Sequence, residues 1–277
     1  MIPKKIHYCW FGGQPLPDKM QRFITAWHRI CPDYEFVKWD ESNFDINGSI
    51  PFVREAYEHN KFAFVSDYVR LLALYNEGGI YIDTDVELVK SLDSFLDNRF
   101  FTSVEYIEDN VRILNVKERL KPDGGKKNGD DVIIGIGITS AIFGAEPKHP
   151  YILDCINFYK RKHFVQPDGS FYDKVILTVS MALCAEKYGF KYIKEEQMLD
   201  AGIHIYPQDY FCHVALRTDN SVALHMACNS WRGKNKYINL YQDLSKISFF
   251  RKVKKLMSCI PYVNVLLDRL KKYIWFR

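Results

Sequence analysis

The sequence predicts an α/β protein whose mostly parallel sheet is flanked by helices. The chain has 277 residues, 47% of them hydrophobic, which is enough for one substantial core. Short apolar runs alternate with longer segments whose apolar residues recur at helical spacing, and this alternation is typical of βαβ units. One such run ends in a pair of aspartates, at the edge where parallel sheets bind ligands.

The N-terminal half alternates regularly between strand and helix. Strands are predicted at 3–10, 34–39 and 80–83, and helices from an Asp18 cap, over 51–59 and over 61–77. Pro51 suits a first helical turn, and Gly78 and Gly79 end the third helix directly before the next strand.

The C-terminal half is less regular. We predict a strand at 100–106, helices at 150–162 and 174–188, and late strands in "IHIYP" and "VALHMA". The turn-rich segment 108–131 is predicted to be an exposed excursion that could act as a mobile lid. The segment "VIIGIGITSAIFGA" is too short and too rich in glycine to span a membrane, and its glycines suit close approach of the backbone to a ligand.

The stretch "YNEGGIYIDTDVEL" places Asp83 and Asp85 at the end of a predicted strand. Side chains two residues apart on a strand point to the same face, so both carboxylates would face one point. Two carboxylates that close repel each other unless a cation lies between them, and a hard divalent metal is the usual cation. The alternative is a solvated strand end or turn, where aspartate is common.

Two further groups of residues add to this candidate site. Asp67 and Arg70 share one face of an otherwise apolar helix, and the alternative interpretation is a simple surface ion pair. His225 ends an apolar strand, and it could complete a metal site or be structural. The loop after it offers polar and basic side chains, and Arg or Lys there could neutralise a diphosphate: Asn229, Ser230, Trp231, Arg232 and Lys234.

These motifs resemble a known family. "IPKKIHYCWFGG", "SDYVRLLALYNEGGIYIDTDVELVKSL" and "HMACNSW" look like glycosyltransferase family 32, which includes fungal initiating mannosyltransferases and bacterial capsule and O-antigen transferases. The chain is also similar, more distantly, to the glucosylating domains of large clostridial toxins. The resemblance covers roughly residues 2 to 235.

The resemblance implies a GT-A fold, a nucleotide-sugar donor, expected to be a UDP-sugar, and a divalent ion, expected to be manganese with magnesium as the alternative. It implies that Asp85 is a metal ligand, that Asp83 contacts metal or ribose, and that Asp67 and Arg70 contact the donor sugar. The other implied contacts are Tyr8 and Trp10 with the nucleoside and His225, Ser230 and Trp231 with the diphosphate.

The implied reaction is transfer of a hexose, with retention of configuration, to a glycan acceptor. Metal and basic groups would stabilise the charge that develops on the departing diphosphate. The resemblance further implies a lipid-linked acceptor in bacterial surface-polysaccharide synthesis. The chain departs from the family at 134–142, where "IGIGITSAI" replaces an Asn-rich acceptor segment, so the acceptor stays open.

Two other functions fit part of the pattern. "DTDVE" also satisfies the motif of haloacid-dehalogenase-type phosphatases, but it lies far from the N-terminal position expected of their nucleophile strand. A non-catalytic sugar-binding scaffold is the second alternative, and the intact set of Asp67, Arg70, Asp83 and Asp85 argues against it.

The cysteine content and the charge distribution of the chain indicate its cellular location and its partners. The seven cysteines include no CxxC pair, and the N-terminus lacks the apolar segment of a signal peptide, which predicts a cytosolic protein. The segment from residue 245 onward contains nine basic residues and one acidic residue, Asp268, whereas the rest of the chain has a net negative charge. We therefore expect a catalytic domain at 1–240 that does not bind nucleic acid. We expect residues 241–277 to form a basic amphipathic helical tail bound to the anionic inner face of the plasma membrane, with core packing as the alternative.

Overall fold

A computed structural model describes residues 1–129, 131–172 and 175–227. The strands of these residues are β1 (Lys5–Cys9), β2 (Glu35–Trp39), β3 (Gly79–Ile82), β4 (Val86–Leu88), β5 (Phe100–Tyr106), β6 (Ile136–Ile138), β7 (Ile142–Ala145), β8 (Gln197–Leu199), β9 (Ile203–Tyr206), β10 (Phe211–His213) and β11 (Ala223–His225). The α-helices are α1 (Asp18–Ile30), α2 (Pro51–Glu58), α3 (Phe62–Glu77), α4 (Glu108–Ile113), α5 (Pro150–Lys160) and α6 (Leu177–Ala185).

The larger sheet has eight strands, in the order β2-β1-β3-β7-β5-β9-β8 with β6 paired to β5. β1 is parallel to β2 and β3, and β5 is parallel to β9, whereas β6, β7 and β8 run the other way. Five of the eight strands therefore share one direction, and the predicted mixed, mostly parallel α/β sheet is confirmed.

A smaller sheet of three strands has the order β10-β11-β4. β4 follows β3 after a turn of three residues, and it pairs antiparallel with β11, with Val86 opposite His225. This pairing brings the end of the described chain next to the carboxyl end of β3.

Apolar residues on both faces of the larger sheet explain why the helices pack there. On one face, side chains of α2, α3, α5 and α6 form a single cluster that includes the fully buried Phe52, Leu71 and Tyr159. On the other face, α1 buries Trp27, whose indole Nε1 donates a hydrogen bond of 2.9 Å to the Val86 carbonyl. This hydrogen bond ties α1 to the strand that begins after the aspartate pair.

The Gly-Gly pair separates α3 from β3 for a steric reason. Gly78 caps α3 at φ 67°, and Gly79 begins β3 at φ 104°. A Cβ on Gly79 would lie 2.6 Å from the carbonyl oxygen of Lys5 in the neighbouring strand. Only glycine fits there without movement of the backbone, so helix α3 and strand β3 can join with no loop between them.

Several expectations need correction. Asp18 is the first residue of α1 rather than its cap, which is Pro17. The segment 108–131 is not wholly exposed, because it contains α4 and a short 3-10 helix that bury Val111 and Val116. The sequence also missed β4, β6, β7, β8 and β10, because strands of three or four residues carry no readable alternation.

The described residues belong to one compact unit, and none of their helices has the length and apolar character needed to cross a membrane. The predicted boundary near 240 and the predicted amphipathic tail lie outside the described residues, so both stay predictions.

Candidate metal and donor site

Asp83 and Asp85 lie in a tight turn, not within a strand. β3 ends at Ile82, and the turn is closed by a 3.0 Å hydrogen bond from the Val86 amide to the Asp83 carbonyl. The expectation that strand alternation aligns the two carboxylates is therefore wrong. The turn itself brings them together, because a chain reversal after Ile82 leaves both side chains at the same sheet edge.

Backbone hydrogen bonds from two other segments hold this turn in place. The Asp83 amide donates to the Ala141 carbonyl at 2.8 Å, just before β7. The Met226 amide, just after β11, donates to the Asp85 carbonyl at 3.0 Å. The main chain thus fixes the backbone of both aspartates at this position.

His225 completes a cluster of possible metal ligands. One ligand atom each from Asp83, Asp85 and His225 lie within 4.8 Å of one another, and His225 Nε2 is 3.3 Å from Asp85 Oδ1. The side chains are 25%, 13% and 34% exposed, respectively, which leaves one side of the cluster open. The structure thus brings together the three residues predicted to bind metal, although binding itself stays a prediction.

The donor set fits a divalent cation. Two carboxylate oxygens suit Mn²⁺ or Mg²⁺, and an imidazole nitrogen favours Mn²⁺ over Mg²⁺. Burial lowers the pKa of His225, but the hydrogen bond to Asp85 and the charges of Asp83 and Glu105 outweigh it, so the pKa is raised. Because the imidazole binds a metal only in its neutral form, protonation of His225 opposes metal binding.

Arg70 connects this cluster to α3. Its guanidinium lies 3.2 Å from Asp67 Oδ1 and 3.2 Å from Asp83 Oδ1, and its side chain is only 6% exposed. It also donates to the carbonyls of Ser66 at 3.1 Å and Ser140 at 2.8 Å. The alternative of a simple surface ion pair between Asp67 and Arg70 is therefore wrong, because both residues are held in a buried network at the site.

Burial changes the protonation of this pair. It raises the pKa of Asp67 to about 6, against the opposing attraction of Arg70 and with added repulsion from Asp83. Burial would lower the pKa of Arg70, but the two carboxylates raise it above its ordinary value. Arg70 is thus a permanent cation, whereas Asp67 can gain a proton in mildly acidic solution.

Tyr81 is a site residue that the sequence reasoning missed. Its hydroxyl donates to Asp83 Oδ1 at 2.8 Å, and the Arg70 guanidinium lies 4.3 Å from the centroid of its ring. Tyr81 precedes Asp83 by two residues and belongs to a strand that looks purely structural in sequence. Strand alternation was the available signal for Tyr81, because residues 81 and 83 are two apart and share one side of a strand. The same alternation did not explain the aspartate pair.

Tyr8 and Trp10 occupy the predicted region but contact different partners. β1 is parallel to β3, so the end of β1 lies beside the end of β3. The Tyr8 ring packs edge-on against Trp27, and Trp10 Nε1 donates to the Gln14 carbonyl at 2.5 Å. Both rings are partly exposed, and their contact with a nucleoside stays a prediction.

Three of the predicted donor-binding residues, Ser230, Trp231 and Lys234, lie outside the described residues. Their roles stay predictions.

Glu105 is a second residue that the sequence reasoning missed. It lies near the carboxyl end of β5, opposite Gly137 of β6, and is partly exposed. Burial raises its pKa to about 7, which the nearby His225 and Thr178 only partly offset. No sequence signal marks Glu105, because a single acidic residue near a strand end is ordinary.

Comparison with known proteins finds a family model that matches part of the chain. Residues 17–102 match the family model described as glycosyltransferase sugar-binding region containing DXD motif. This segment includes Asp67, Arg70, Asp83 and Asp85. The resemblance to DXD glycosyltransferases is therefore confirmed over this segment.

Curated relatives agree with this assignment. The chain is 36% identical over 98 residues to inositol phosphoceramide mannosyltransferase 3 of Schizosaccharomyces pombe, covering 34% of this chain and 27% of the relative. It is 24% identical over 255 residues to inositol phosphoceramide mannosyltransferase 1 of the same organism, covering 87% of this chain and 66% of the relative. The chain thus spans between about a quarter and two thirds of the length of these relatives.

A solved structure, the PaToxG glycosyltransferase, is similar to 67% of this chain and matches over 69% of its own length. The sequence identity is 17% and the TM-score is 0.46.

Proposed function

We propose that this protein is a metal-dependent glycosyltransferase that moves a hexose from a nucleotide sugar to a hydroxyl group of a glycan or lipid-linked acceptor. The observation that carries the proposal is the convergence of Asp83, Asp85 and His225 beside the buried Asp67–Arg70 pair. Four of these five residues lie in the segment that matches the DXD sugar-binding region.

The residues of the chain supply binding and orientation. Arg70 is held by four oxygen partners, so its charge is fixed in place before a donor arrives. Asp67 is buried beside it and offers a carboxylate that can accept hydrogen bonds from sugar hydroxyls. When bound by Asp83, Asp85 and His225, Mn²⁺ would neutralise the diphosphate of the leaving nucleotide. We assign Lys234, with Ser230 and Trp231, to the same diphosphate.

The donor and acceptor proposals draw on the relatives and on the sequence. The relatives are named mannosyltransferases, which favours mannose as the sugar, whereas the sequence predicted a UDP-sugar. The same names specify inositol phosphoceramide, a lipid, whereas the sequence predicted a lipid-linked glycan of a bacterial capsule or O-antigen. A test must therefore include GDP-mannose with UDP-hexoses, and lipid-linked acceptors of both kinds.

The first experiment measures release of nucleoside diphosphate from each donor, with Mn²⁺, with Mg²⁺ and with EDTA. We expect cleavage of one donor that depends on the metal. Proton NMR of the product then gives the anomeric configuration, which we expect to be retained. Binding of a nucleotide sugar without cleavage in the presence of every acceptor would instead support the scaffold alternative.

A matched pair of variants links this activity to the site. Asp85→Asn removes a charged ligand without a change in size, so we expect loss of Mn²⁺ binding by calorimetry and loss of donor cleavage by at least tenfold. The control is Asp97→Asn, which makes the same substitution at an exposed position. Wild-type activity and Mn²⁺ affinity in Asp85→Asn would refute the metal site.

We also propose that the basic C-terminal segment binds the anionic cytoplasmic leaflet, where a lipid-linked acceptor would be available. The support is its charge, nine basic residues against Asp268, with each basic residue contributing about 1 kcal/mol at an anionic surface. The test is co-sedimentation with phosphatidylserine vesicles at low and high salt, with the full chain and a chain truncated after Leu244. Equal binding of the two chains would refute the proposal.

A further inference from the structure

We propose that Glu105 binds the acceptor, and that its carboxylate accepts a hydrogen bond from the hydroxyl group that receives the sugar. The inference rests on the proposed function, since it assigns the acceptor side of the same site. Three observations carry it: the position of Glu105 in the sheet, the groups around it, and its connection to the donor pair.

The position of Glu105 places it across the site from Asp83. β3 and β5 run in the same direction, and β7 lies between them. Asp83 follows the last residue of β3, and Glu105 is the second-last residue of β5, so both lie at the same edge of the sheet. Two strand spacings put their backbones about 10 Å apart. A sugar ring bound at Asp67 and Arg70 can thus face an acceptor at Glu105.

The groups around Glu105, among the described residues, include one imidazole and one hydroxyl group. The groups that act on its charge, among the described residues, are the imidazole of His225 and the hydroxyl of Thr178, and none is a Lys or Arg. A partly exposed carboxylate near a strand end, with no Lys or Arg acting on it among the described residues, can accept a hydrogen bond from a ligand hydroxyl group.

The connection to the donor pair passes through two hydroxyl groups. Arg70 donates to the Ser140 carbonyl at 2.8 Å, and the Ser140 hydroxyl lies 3.3 Å from that of Thr178. Thr178 lies against Gly137, which pairs in register with Glu105. The same short path therefore positions the guanidinium on the donor side and the carboxylate on the acceptor side.

A glycine makes this arrangement possible. Gly137 pairs in register with Glu105, and a Cβ on Gly137 would lie 2.7 Å from Cγ2 of Thr178. The absence of a side chain allows α6 to approach β6 so that Thr178 reaches Glu105. The glycine-rich segment "IGIGITSAI", where the sequence departs from the family it resembles, thus lines the proposed acceptor subsite.

The step itself is simple to balance. The acceptor oxygen forms a bond to C1 of the donor hexose, while the bond from C1 to the diphosphate oxygen breaks and leaves its electron pair on that oxygen. The hydroxyl proton passes to the departing diphosphate oxygen. Glu105 keeps the hydroxyl oriented toward C1 through its hydrogen bond, and it neither forms a covalent bond nor changes its net charge.

The experiment separates acceptor use from donor use. The assay compares four full-length proteins: wild type, Glu105→Gln, Glu105→Asp and the control Glu108→Gln. Each receives Mn²⁺ and the nucleotide sugar that the wild type cleaves, with octyl α-D-mannoside, octyl glucoside or octyl galactoside as the acceptor. Glu108 is an exposed glutamate three residues further along the chain. We expect Glu105→Gln to lower kcat/KM for the acceptor at least tenfold, and to leave donor affinity and donor hydrolysis in water within twofold of wild type.

The conservative variant tests the role further. We expect Glu105→Asp, which keeps the charge, to recover part of the lost transfer, and Glu108→Gln to behave as wild type. Transfer at the wild-type rate in Glu105→Gln, or an equal loss of donor binding, would overturn the inference. So would failure of the wild type to glycosylate any octyl glycoside while it cleaves donor. Failure of the wild type to cleave any donor would instead refute the proposed function.

Discussion

Replacement of Arg70 by methionine should destabilise the protein far more than a surface substitution of the same kind. Arg70 is 6% exposed and lies 3.2 Å from carboxylate oxygens of both Asp67 and Asp83. Methionine fills much of the same space but removes the charge. Two carboxylates are then left without their cation, and the carbonyls of Ser66 and Ser140 lose a donor.

The magnitude follows from the burial of the pair. Removing one partner of a buried ion pair costs about 3–5 kcal/mol, since the other charge is left uncompensated. Asp83 remains 25% exposed and keeps the hydrogen bond from Tyr81, so water and the tyrosine hydroxyl partly stabilise its charge when Arg70 is absent. We therefore expect Arg70→Met to lower the free energy of unfolding by about 3 kcal/mol at pH 8.

The loss should depend on pH in a definite direction. The folded-state pKa of Asp67 is about 6, above its unfolded value of 3.8, so the free energy of unfolding falls as pH rises between these two values and then stays constant. Without Arg70 the pKa rises further and this loss of stability grows. At pH 5 Asp67 is mostly protonated in both proteins, so the difference between them should shrink by about 1 kcal/mol or more.

The assay is urea unfolding followed by tryptophan fluorescence, at pH 5 and pH 8, with EDTA present so that no metal contributes. The matched control is Arg112→Met. Arg112 also pairs with an aspartate three residues before it, Asp109, at 3.0 Å, but both side chains are more than 60% exposed. We expect that control to change stability by less than about 0.5 kcal/mol. A loss in Arg70→Met that equals the control, or that is the same at both pH values, would refute this reasoning.

Two further predictions concern the same region. Affinity for the intact donor should fall as pH decreases through about 6, because protonated Asp67 accepts fewer hydrogen bonds from the sugar. Calorimetry of the donor at saturating Mn²⁺ checks this, with Asp67→Asn as the control, and an equal fall in the wild type and in Asp67→Asn would contradict it. Gly79→Ala should lower the free energy of unfolding by about 2 kcal/mol or more, because an alanine there combines φ 104° with a 2.6 Å contact to the Lys5 carbonyl. Urea unfolding measures the loss. The matched control is Gly13→Ala, which also has a positive φ but has no atom within 4 Å of the added Cβ.

The Asp67–Arg70 pair and the junction of α3 with β3 could be predicted from the sequence because their signals are local. Asp67 and Arg70 share a helix face through their spacing of three residues, and the Gly-Gly pair locates the junction of helix and strand. The range predicted for β5 agrees with the structure, and α3 begins within one residue of its prediction. Periodicity within one element is enough for such predictions, because it depends on backbone geometry alone.

Other features depended on contacts between distant parts of the chain. His225 reaches Asp85 because β11 pairs with β4, two strands of three residues separated by more than a hundred positions. Strands that short have no periodic signal of their own, and packing selects their partners. The aspartate pair shows the same limit, since a turn brings its carboxylates together where alternation predicted a strand.

The sequence determined which residue types form the candidate site, namely two neighbouring aspartates, a helical Asp–Arg pair and a late histidine. Only the tertiary structure decided the solvent exposure and the pKa values of those groups. Burial raises the pKa of Asp67 to about 6, removes Arg70 from solvent and raises the pKa of Glu105 to about 7. Desolvation comes from the atoms that surround a group, and most of those atoms belong to elements far away in the chain.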